Sequence, residues 1–69
     1  MKKISISLSG HQTSISLEPE FITALRKIAS EQQTSVAAII GEIDRNRAIN
    51  TNLSSAIRVW ILQYLYKKI

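Results

Sequence analysis

The chain has 69 residues, 45% of them hydrophobic, and nine Lys and Arg against five Asp and Glu give it a net charge of +4. This hydrophobic content excludes an intrinsically disordered chain, and the length suits one small domain, residues 1–69. The chain has no cysteine, which excludes disulfides and thiolate metal sites. Because so short a chain buries little apolar surface alone, we expect a homodimer, and its basic charge favours an anionic partner.

Two short stretches near the N terminus alternate between apolar and polar side chains, as β-strands do. Residues 4–8 read Ile-Ser-Ile-Ser-Leu and residues 13–17 read Thr-Ser-Ile-Ser-Leu, so they predict a β-ribbon region over residues 4–17. Gly10 lies between them. Two arrangements stay open at this point: a hairpin that turns at Gly10, or one long strand with a bulge there.

The second stretch has two chemically different faces. Its apolar face is formed by Thr13, Ile15 and Leu17, and the opposite face carries hydrogen-bonding side chains without charge. These outward residues are Gln12, Ser14 and Ser16. Exposed strand faces usually carry charged residues that discourage edge pairing, so this face suits close docking against a polar partner.

Three amphipathic helices are predicted after the ribbon, over residues 19–32, 35–48 and 52–68. Pro19 suits the first helical position, and Thr34-Ser35 suits the cap of the second helix. Gly41 inside the second helix predicts the close approach of another backbone, as where two copies of the helix cross. We expect the apolar residues of the strand and helices to form a dimer core: Ile15, Leu17, Phe21, Leu25, Ile28, Val36, Ile39, Ile40, Ile43, Ile57, Trp60 and Ile61.

The sequence contains no recognisable catalytic or metal-binding constellation. His11 is the only histidine, and nucleophilic catalysis needs a base that a third group orients. We therefore expect no enzyme activity, no metal, no cofactor and no small-molecule substrate. The chain also has neither an apolar run that spans a bilayer nor a signal peptide, so we expect a cytoplasmic protein without a membrane partner.

The order of these elements resembles the ribbon-helix-helix family over residues 12–48. The resemblance is carried by the alternating strand, Pro19, the apolar stripe of the first helix and the Ser35-Val36 start of the second. The chain is most similar to a subfamily whose strand reads His-x-Thr-Ser-Ile-Ser-Leu-Glu, here residues 11–18. A downstream run, Asn-Leu-Ser-Ser-Ala-Ile-Arg-Val at residues 52–59, extends this similarity over nearly the whole chain.

The resemblance implies an intertwined homodimer that binds double-stranded DNA, with one strand from each chain paired in an antiparallel ribbon in the major groove. By position, Gln12, Ser14 and Ser16 would contact base edges. The implied phosphate contacts are the backbone amides of Thr34, Ser35 and Val36, the side chains of Lys2 and Lys3 on a flexible arm, and His11 when protonated. The chain departs from the family where two serines replace the frequent outward Arg or Lys, and where Gln33 replaces a common Gly.

The implied function is that of a site-specific transcriptional repressor or autoregulator, as a dimer or as tetramers on adjacent half-sites. An alternative is a protein-interaction module, such as the antitoxin of a toxin–antitoxin pair, with the last helix as the partner-binding part. A third alternative is a peripheral membrane helix over residues 53–69. The role of the last helix stays open among these.

Overall fold

The computed structural model describes residues 1–68 and contains a two-stranded antiparallel sheet followed by three helices. The elements are β1 (Lys2–Leu8), β2 (His11–Leu17), α1 (Pro19–Glu31), α2 (Val36–Asn46) and α3 (Leu53–Lys67). This order confirms the predicted fold class, a mainly helical ribbon-helix-helix arrangement with an additional N-terminal strand and a third C-terminal helix. The predicted domain end at residue 69 lies outside the described residues.

The predicted boundaries differ from the structure at the ends of the elements. The strand pairing begins at Lys2, two residues before the predicted ribbon region. The second helix ends at Asn46 rather than at residue 48, because Arg47 adopts an extended backbone with φ −78° and ψ 151°. The Arg47 side chain turns back to Asp44, at 2.8 Å, and also donates to the Thr51 carbonyl. Both contacts hold the connection to α3 in place.

A two-residue turn, Ser9-Gly10, joins β1 to β2 as a hairpin. Both turn residues have positive φ, 50° for Ser9 and 81° for Gly10, as a type I′ turn requires. Of the two predicted arrangements, the structure therefore shows the hairpin and not the long strand with a bulge. The hairpin pairs β1 with β2 within one chain, and the pairing with a strand of a second chain that the resemblance implies stays a prediction.

The register of the hairpin gives it an inner and an outer face. Ile4 pairs with Ile15 and Ile6 pairs with Thr13, and on this inner face Ile4, Ile6 and Leu8 pack against the core. Paired residues of an antiparallel sheet share a face and alternate positions point to opposite sides. The polar positions of both strands therefore lie together on the outer face, away from the helices.

The hydrophobic core lies between the inner face of the hairpin and the three helices. The buried residues are Ile15, Leu17, Ile22, Leu25, Ile28, Ala29, Ile39, Ile40, Ile43, Ile57 and Ile61. Nine of the twelve residues predicted for a dimer core are among them, and Phe21, Val36 and Trp60 are half-buried around them. One chain thus buries these residues by itself, and their contact with a second copy stays a prediction.

Within one chain Gly41 lies beside side chains of α2 and β1, and the crossing of two copies of α2 stays a prediction. A Cβ at this position would lie 3.6 Å from Arg45 Nη1 and 3.8 Å from Leu8 Cδ2, both ordinary contact distances. Side chains of α2 and β1 are the nearest atoms, not another backbone. A side chain as small as alanine would therefore fit here, and the packing of α2 against β1 within the chain does not require glycine.

α3 carries a second apolar stripe that its sequence pattern did not lead us to expect. The sequence pattern of α3 predicts one apolar stripe, formed by Leu53, Ile57, Trp60, Ile61, Tyr64 and Leu65. Ile57 and Ile61 of this stripe are buried in the core, whereas Leu65 is 45% exposed. On the other side of the helix, next to Leu65, Val59, Leu62 and Tyr66 are 52%, 51% and 67% exposed. A helix that is apolar on both sides usually has a partner on each.

The end of α1 forms a Schellman motif around Gln33. The Thr34 amide donates to the Ala29 carbonyl at 2.9 Å, and the Gln33 amide donates to the Ser30 carbonyl at 3.2 Å. The motif requires a left-handed residue, and Gln33 takes that conformation with φ 55°. Glycine adopts it without the steric conflict of a side chain, so Gln33 holds the helix end at an energetic cost.

We expect Gln33→Gly to raise the free energy of unfolding by about 1 kcal/mol, because it removes the left-handed penalty of a residue with a Cβ. Urea denaturation followed by circular dichroism measures the change. Gln32→Gly is the matched control, since Gln32 has φ −88° and glycine only adds backbone entropy there. Equal destabilisation by both substitutions would contradict the prediction.

Candidate nucleic-acid interface

The outer face of the hairpin is an uninterrupted polar surface built by both strands. It pairs Lys3 with Ser16, Ser5 with Ser14, and Ser7 with Gln12. All of these residues are exposed except Ser16, which is half-buried. One ammonium, one amide and four hydroxyl groups point away from the core, and residues 1–17 contain no carboxylate side chain. The hairpin thus offers donors and acceptors on a surface without negative side chains.

Lys2 and Lys3 lie in β1 and not on the predicted flexible arm, and His11 lies at the start of β2. Lys3 is on the outer face, opposite Ser16, which places its ammonium beside the predicted base-contacting residues. Lys2 pairs with Leu17 and His11 pairs with Leu8, so both alternate to the other side of the ribbon, where they remain exposed. Among the basic residues of the hairpin, Lys3 alone shares the face with Gln12.

The N-terminus of α2 presents free backbone amides to solvent. Ser35 caps the helix, with its hydroxyl oxygen accepting from the Ala38 amide at 3.0 Å. Thr34 donates its amide to Ala29 and therefore contributes no free amide, contrary to expectation. Within residues 1–68, the amides of Ser35, Val36 and Ala37 have no hydrogen-bond partner. The amide set that can hold an anion is thus displaced by one residue from the predicted set.

A cleft of about 340 Å³ connects the turn of the hairpin with the first turns of α2. Ser7 and Ser9 line it on the hairpin side, and Ser35 lines it on the helix side. Asp44 and Arg45 also line it. The turn end of the hairpin and the first turns of α2 therefore share one cleft, and the exposed Arg45 is among the residues that line it.

Residues 1–65, which include the hairpin, α1, α2 and most of α3, match the family model described as the ribbon-helix-helix domain. The chain belongs to the ribbon-helix-helix family. Comparisons with curated proteins and with solved structures returned no match. Ribbon-helix-helix proteins include DNA-binding transcription regulators and antitoxins, are typically non-enzymatic, and generally bind DNA as dimers.

The alternation of the sequence predicted that Gln12, Ser14 and Ser16 share one face of a strand. In the structure they occupy alternate positions of β2 on the outer face of the hairpin. The structure adds residues that sequence analysis missed there, Ser5 and Ser7. Their signal was available in the Ile-Ser-Ile-Ser-Leu alternation, but their face depends on how β1 pairs. No signal in the sequence indicated that Arg45 lines the cleft beside the hairpin turn.

Two ion pairs join the C-terminal part of the chain to the two ends of α1, and one of them lies next to the end of β2. Arg58 Nε lies 2.9 Å from Glu18 Oε1, at the junction of β2 and α1, and its guanidinium lies 5.9 Å from the Phe21 ring centre. Lys68 Nζ lies 2.8 Å from Glu31 Oε1 at the other end. α3 is thereby held alongside α1 by charge as well as by apolar packing.

The ion pairs shift the pKa values of their members. The hydrogen bond from Arg58 holds the pKa of the Glu18 carboxyl below its ordinary value of 4.5, and the bond from Lys68 lowers the pKa of Glu31 in the same way. The same bond with Glu31 raises the pKa of Lys68 above 10.5. A carboxyl with a lowered pKa stabilises the fold above its unfolded-state pKa, and this stabilisation is lost as the pH falls through the folded-state pKa.

Within the described residues 1–68, no group of three or more His, Asp or Glu lies together as a possible metal site. The same part of the ribbon-helix-helix chain has no helix with the length and apolar content needed to cross a bilayer.

We expect the thermal stability of the protein to fall below about pH 4.5 as Glu18 and Glu31 are protonated, since protonation breaks both ion pairs. Glu18→Gln should lower the stability at neutral pH and make its decline in acid less steep. Melting curves recorded from pH 7 to pH 3 test this. Glu20→Gln is the control, because Glu20 forms no ion pair within residues 1–68; an unchanged acid slope in Glu18→Gln would refute the prediction.

Proposed function

We propose that this protein is a sequence-specific DNA-binding regulator, a transcriptional repressor or autoregulator that acts in the cytoplasm as a homodimer. The observation that carries the proposal is the outer face of the hairpin, with its exposed hydrogen-bonding side chains and its lack of carboxylates. Membership of the ribbon-helix-helix family supports DNA as the partner. On this proposal the protein is not an enzyme and needs no cofactor.

The dimensions of the hairpin suit the DNA major groove. Paired strands lie about 4.8 Å apart, and a groove about 12 Å wide admits a two-stranded ribbon. The inner face stays on the helices, so the outer face enters the groove without exposing the core. Gln12 has the amide geometry that pairs with adenine at two positions, and the hydroxyls of Ser14 and Ser16 can donate or accept with any base edge.

The α2 N-terminus supplies an anchor for the phosphate backbone. Free amides at a helix N-terminus bind anions because they combine unpaired donors with the positive end of the helix dipole. The amides of Ser35, Val36 and Ala37 lie on the side of the hairpin turn. A phosphate held there would fix the depth of the ribbon in the groove, and the net charge of +4 adds non-specific attraction.

The finer resemblance to the subfamily with a His-x-Thr-Ser-Ile-Ser-Leu-Glu strand supports the same assignment. The motif covers residues 11–18 and thus the whole of β2 with the Glu18 that binds Arg58. The run at residues 52–59 contains Asn52, which caps α3 through the Ser55 amide at 3.2 Å, and Arg58 itself. Both motifs therefore contain the partners that join the ribbon to α3.

We expect Gln12→Ala with Ser14→Ala to abolish preference for the specific site and to leave the fold intact, because both side chains are exposed. Fluorescence anisotropy with the gene's own upstream region and a scrambled duplex of equal composition measures the preference. The wild type should prefer its site by about 10³ or more, and the variant should bind both duplexes with similar, salt-dependent affinity.

Thr23→Ala with Ser30→Ala is the matched control, since it also removes two exposed polar side chains, but from α1. It should retain the wild-type preference. Unchanged specific binding by the Gln12 and Ser14 variant would refute the base-contacting role of these residues. Equal binding of both duplexes by the wild type would instead show a basic protein without site preference.

For the homodimer, we propose that the second stripe of α3 meets the same stripe of a second copy. The stripe consists of Val59, Leu62, Leu65 and Tyr66 and includes no charged side chain. A two-fold interface brings one surface patch against itself, which suits an apolar patch on a chain with a net charge of +4. Each copy would keep its own ribbon and its own core.

We expect Leu62→Lys to convert the dimer into a folded monomer, because it places a charge in the centre of the stripe and leaves the buried side of α3 unchanged. Sedimentation equilibrium over a range of concentrations gives the mass, and circular dichroism confirms folding. Thr23→Lys adds the same charge to an exposed position of α1 and should remain dimeric. A dimeric Leu62→Lys protein would place the interface elsewhere.

The same stripe favours a second candidate function, that of an antitoxin whose α3 binds a different protein. The stripe originally expected to be available for such a partner, around Ile57 and Ile61, is buried by the chain itself. Val59, Leu62 and Tyr66 would take its place. A wild-type chain that is monomeric in solution would favour this function over the homodimer.

A further inference from the structure

A cavity of about 310 Å³ lies between α2 and α3. α3 contributes Ala56, Val59 and Trp60 to its wall, and α2 contributes Glu42 and Ile43. Val59 also belongs to the exposed stripe of α3, so the cavity opens beside that stripe and forms one surface with it. The proposed contacts with DNA leave this cavity unused.

Opposite charges lie at the two ends of this surface. Glu42 lines the cavity, is exposed and forms no ion pair within residues 1–68. Lys67 follows Tyr66 at the far end of the stripe, and it is likewise exposed and in none of the ion pairs of the described residues. A surface with an acidic group at one end and a basic group at the other is complementary to a reversed copy of itself.

Tyr66 and Lys67 lie on the same side of α3 as the cavity. Helix positions that are four or seven residues apart share a side of the helix. Tyr66 comes seven residues after Val59, and Lys67 comes four residues after Gln63, which also lines the cavity. Because seven residues of a helix span about 10 Å, Tyr66 is too far along α3 to enter the cavity of its own chain. It can enter the cavity of another copy.

The charges favour an antiparallel arrangement of two stripes. A two-fold axis brings one surface patch against itself, and with the axis beside Leu62, Val59 lies at the height of Tyr66 of the second copy. The same axis keeps the cavity sides of both helices together, so that Lys67 of each copy approaches Glu42 of the other. In a parallel arrangement identical residues would meet, and the two lysines would repel each other.

We propose that Tyr66 of a second copy enters the cavity between α2 and α3, with Lys67 of that copy paired to Glu42. This inference rests on the proposed α3 contact of the homodimer, and it names the direction of that contact and the residues that anchor it. The tyrosine ring packs against Trp60 and Val59, and its hydroxyl lies among the polar side chains that line the cavity. Each copy gives one tyrosine and receives one, so this contact joins two copies and closes on itself.

Cross-linking through single cysteines tests the direction of the contact, because the chain has no cysteine of its own. Val59→Cys and Tyr66→Cys are purified separately, mixed and oxidised, and mass spectrometry identifies the disulfide dimers. We expect a mixed dimer with one copy of each variant, and about tenfold less dimer from either variant alone, because a disulfide joins Cα atoms within about 7 Å. Identical positions of the antiparallel helices lie about 9 Å or more apart along the axis.

Leu62→Cys is the matched control for the contact itself, since Leu62 lies at the axis in either direction and should cross-link with its own copy. Dimers from Val59→Cys alone and Tyr66→Cys alone, without a mixed species, would show parallel stripes and overturn the inference while the proposed α3 contact stands. If Leu62→Cys forms no disulfide dimer, the proposed α3 contact fails and the inference fails with it.

An exchange of charges tests the ion pair without removing Tyr66. Glu42→Lys and Lys67→Glu should each raise the Kd of the dimer by about tenfold, because each brings like charges together twice. The chain with both substitutions should return to the wild-type Kd, as measured by sedimentation equilibrium. Glu20→Lys is the control, since Glu20 is an exposed carboxylate of α1, and it should leave the Kd unchanged. Single substitutions whose effect the combination does not reverse would overturn the inference.

Discussion

The pairing of β1 with β2 is the interaction on which the rest of the structure depends. A two-residue turn with two positive φ angles brings the strands into register, so that every apolar side chain of both strands points to the helices and every serine points away. A shift of one residue would exchange these faces. It would bury the serines and expose Ile15, and both the core and the polar outer face would be lost.

The closed hairpin explains how so short a chain completes a core. β1 covers part of the apolar surface that a single strand would leave open, and α3 covers the rest through Ile57 and Ile61, which are almost fully buried. Two ion pairs at Glu18 and Glu31 then hold α3 beside α1. The side chains of both pairs are partly exposed to solvent. Each pair therefore adds little to the free energy of unfolding and mainly orients α3 against α1.

The chemistry of the outer face suggests that different parts of the protein would supply the sequence specificity and the affinity of DNA binding. Four of its six residues are serines, whose hydroxyls serve with either partner, so on the proposed function Gln12 would discriminate between bases more than its neighbours do. Affinity would come from phosphates, through the α2 N-terminus and the excess of basic residues. The separate apolar stripe on α3 leaves the ribbon free for DNA while a second protein chain is bound. On the proposed function, recognition would use a polar surface of the hairpin and assembly would use an apolar surface of α3.

The sequence by itself determined the type and order of the elements and the polar character of the ribbon. Alternation at residues 4–8 and 13–17, Pro19 at a helix start and Ser35 as a cap are local signals, since each depends on neighbours a few residues away. For the same reason Gln12, Ser14 and Ser16 could be assigned to one face of a strand before any pairing was known.

Only the tertiary structure decided the pairing of the strands, the partner of the Thr34 amide and the exposed side of α3, because each depends on residues that are distant in the sequence or on the conformation of a neighbour. The choice between a hairpin and a bulged strand depended on whether Ser9 would accept a left-handed conformation beside Gly10, and the place of Lys3 on the outer face followed from that choice. The Thr34 amide was used by the end of α1 because Gln33 took a conformation usual for glycine. The periodicity of α3 predicted that Ile57 and Ile61 are buried, but only the tertiary structure showed that Val59, Leu62 and Tyr66 remain exposed on the other side of the helix, because burial depends on which elements pack around it.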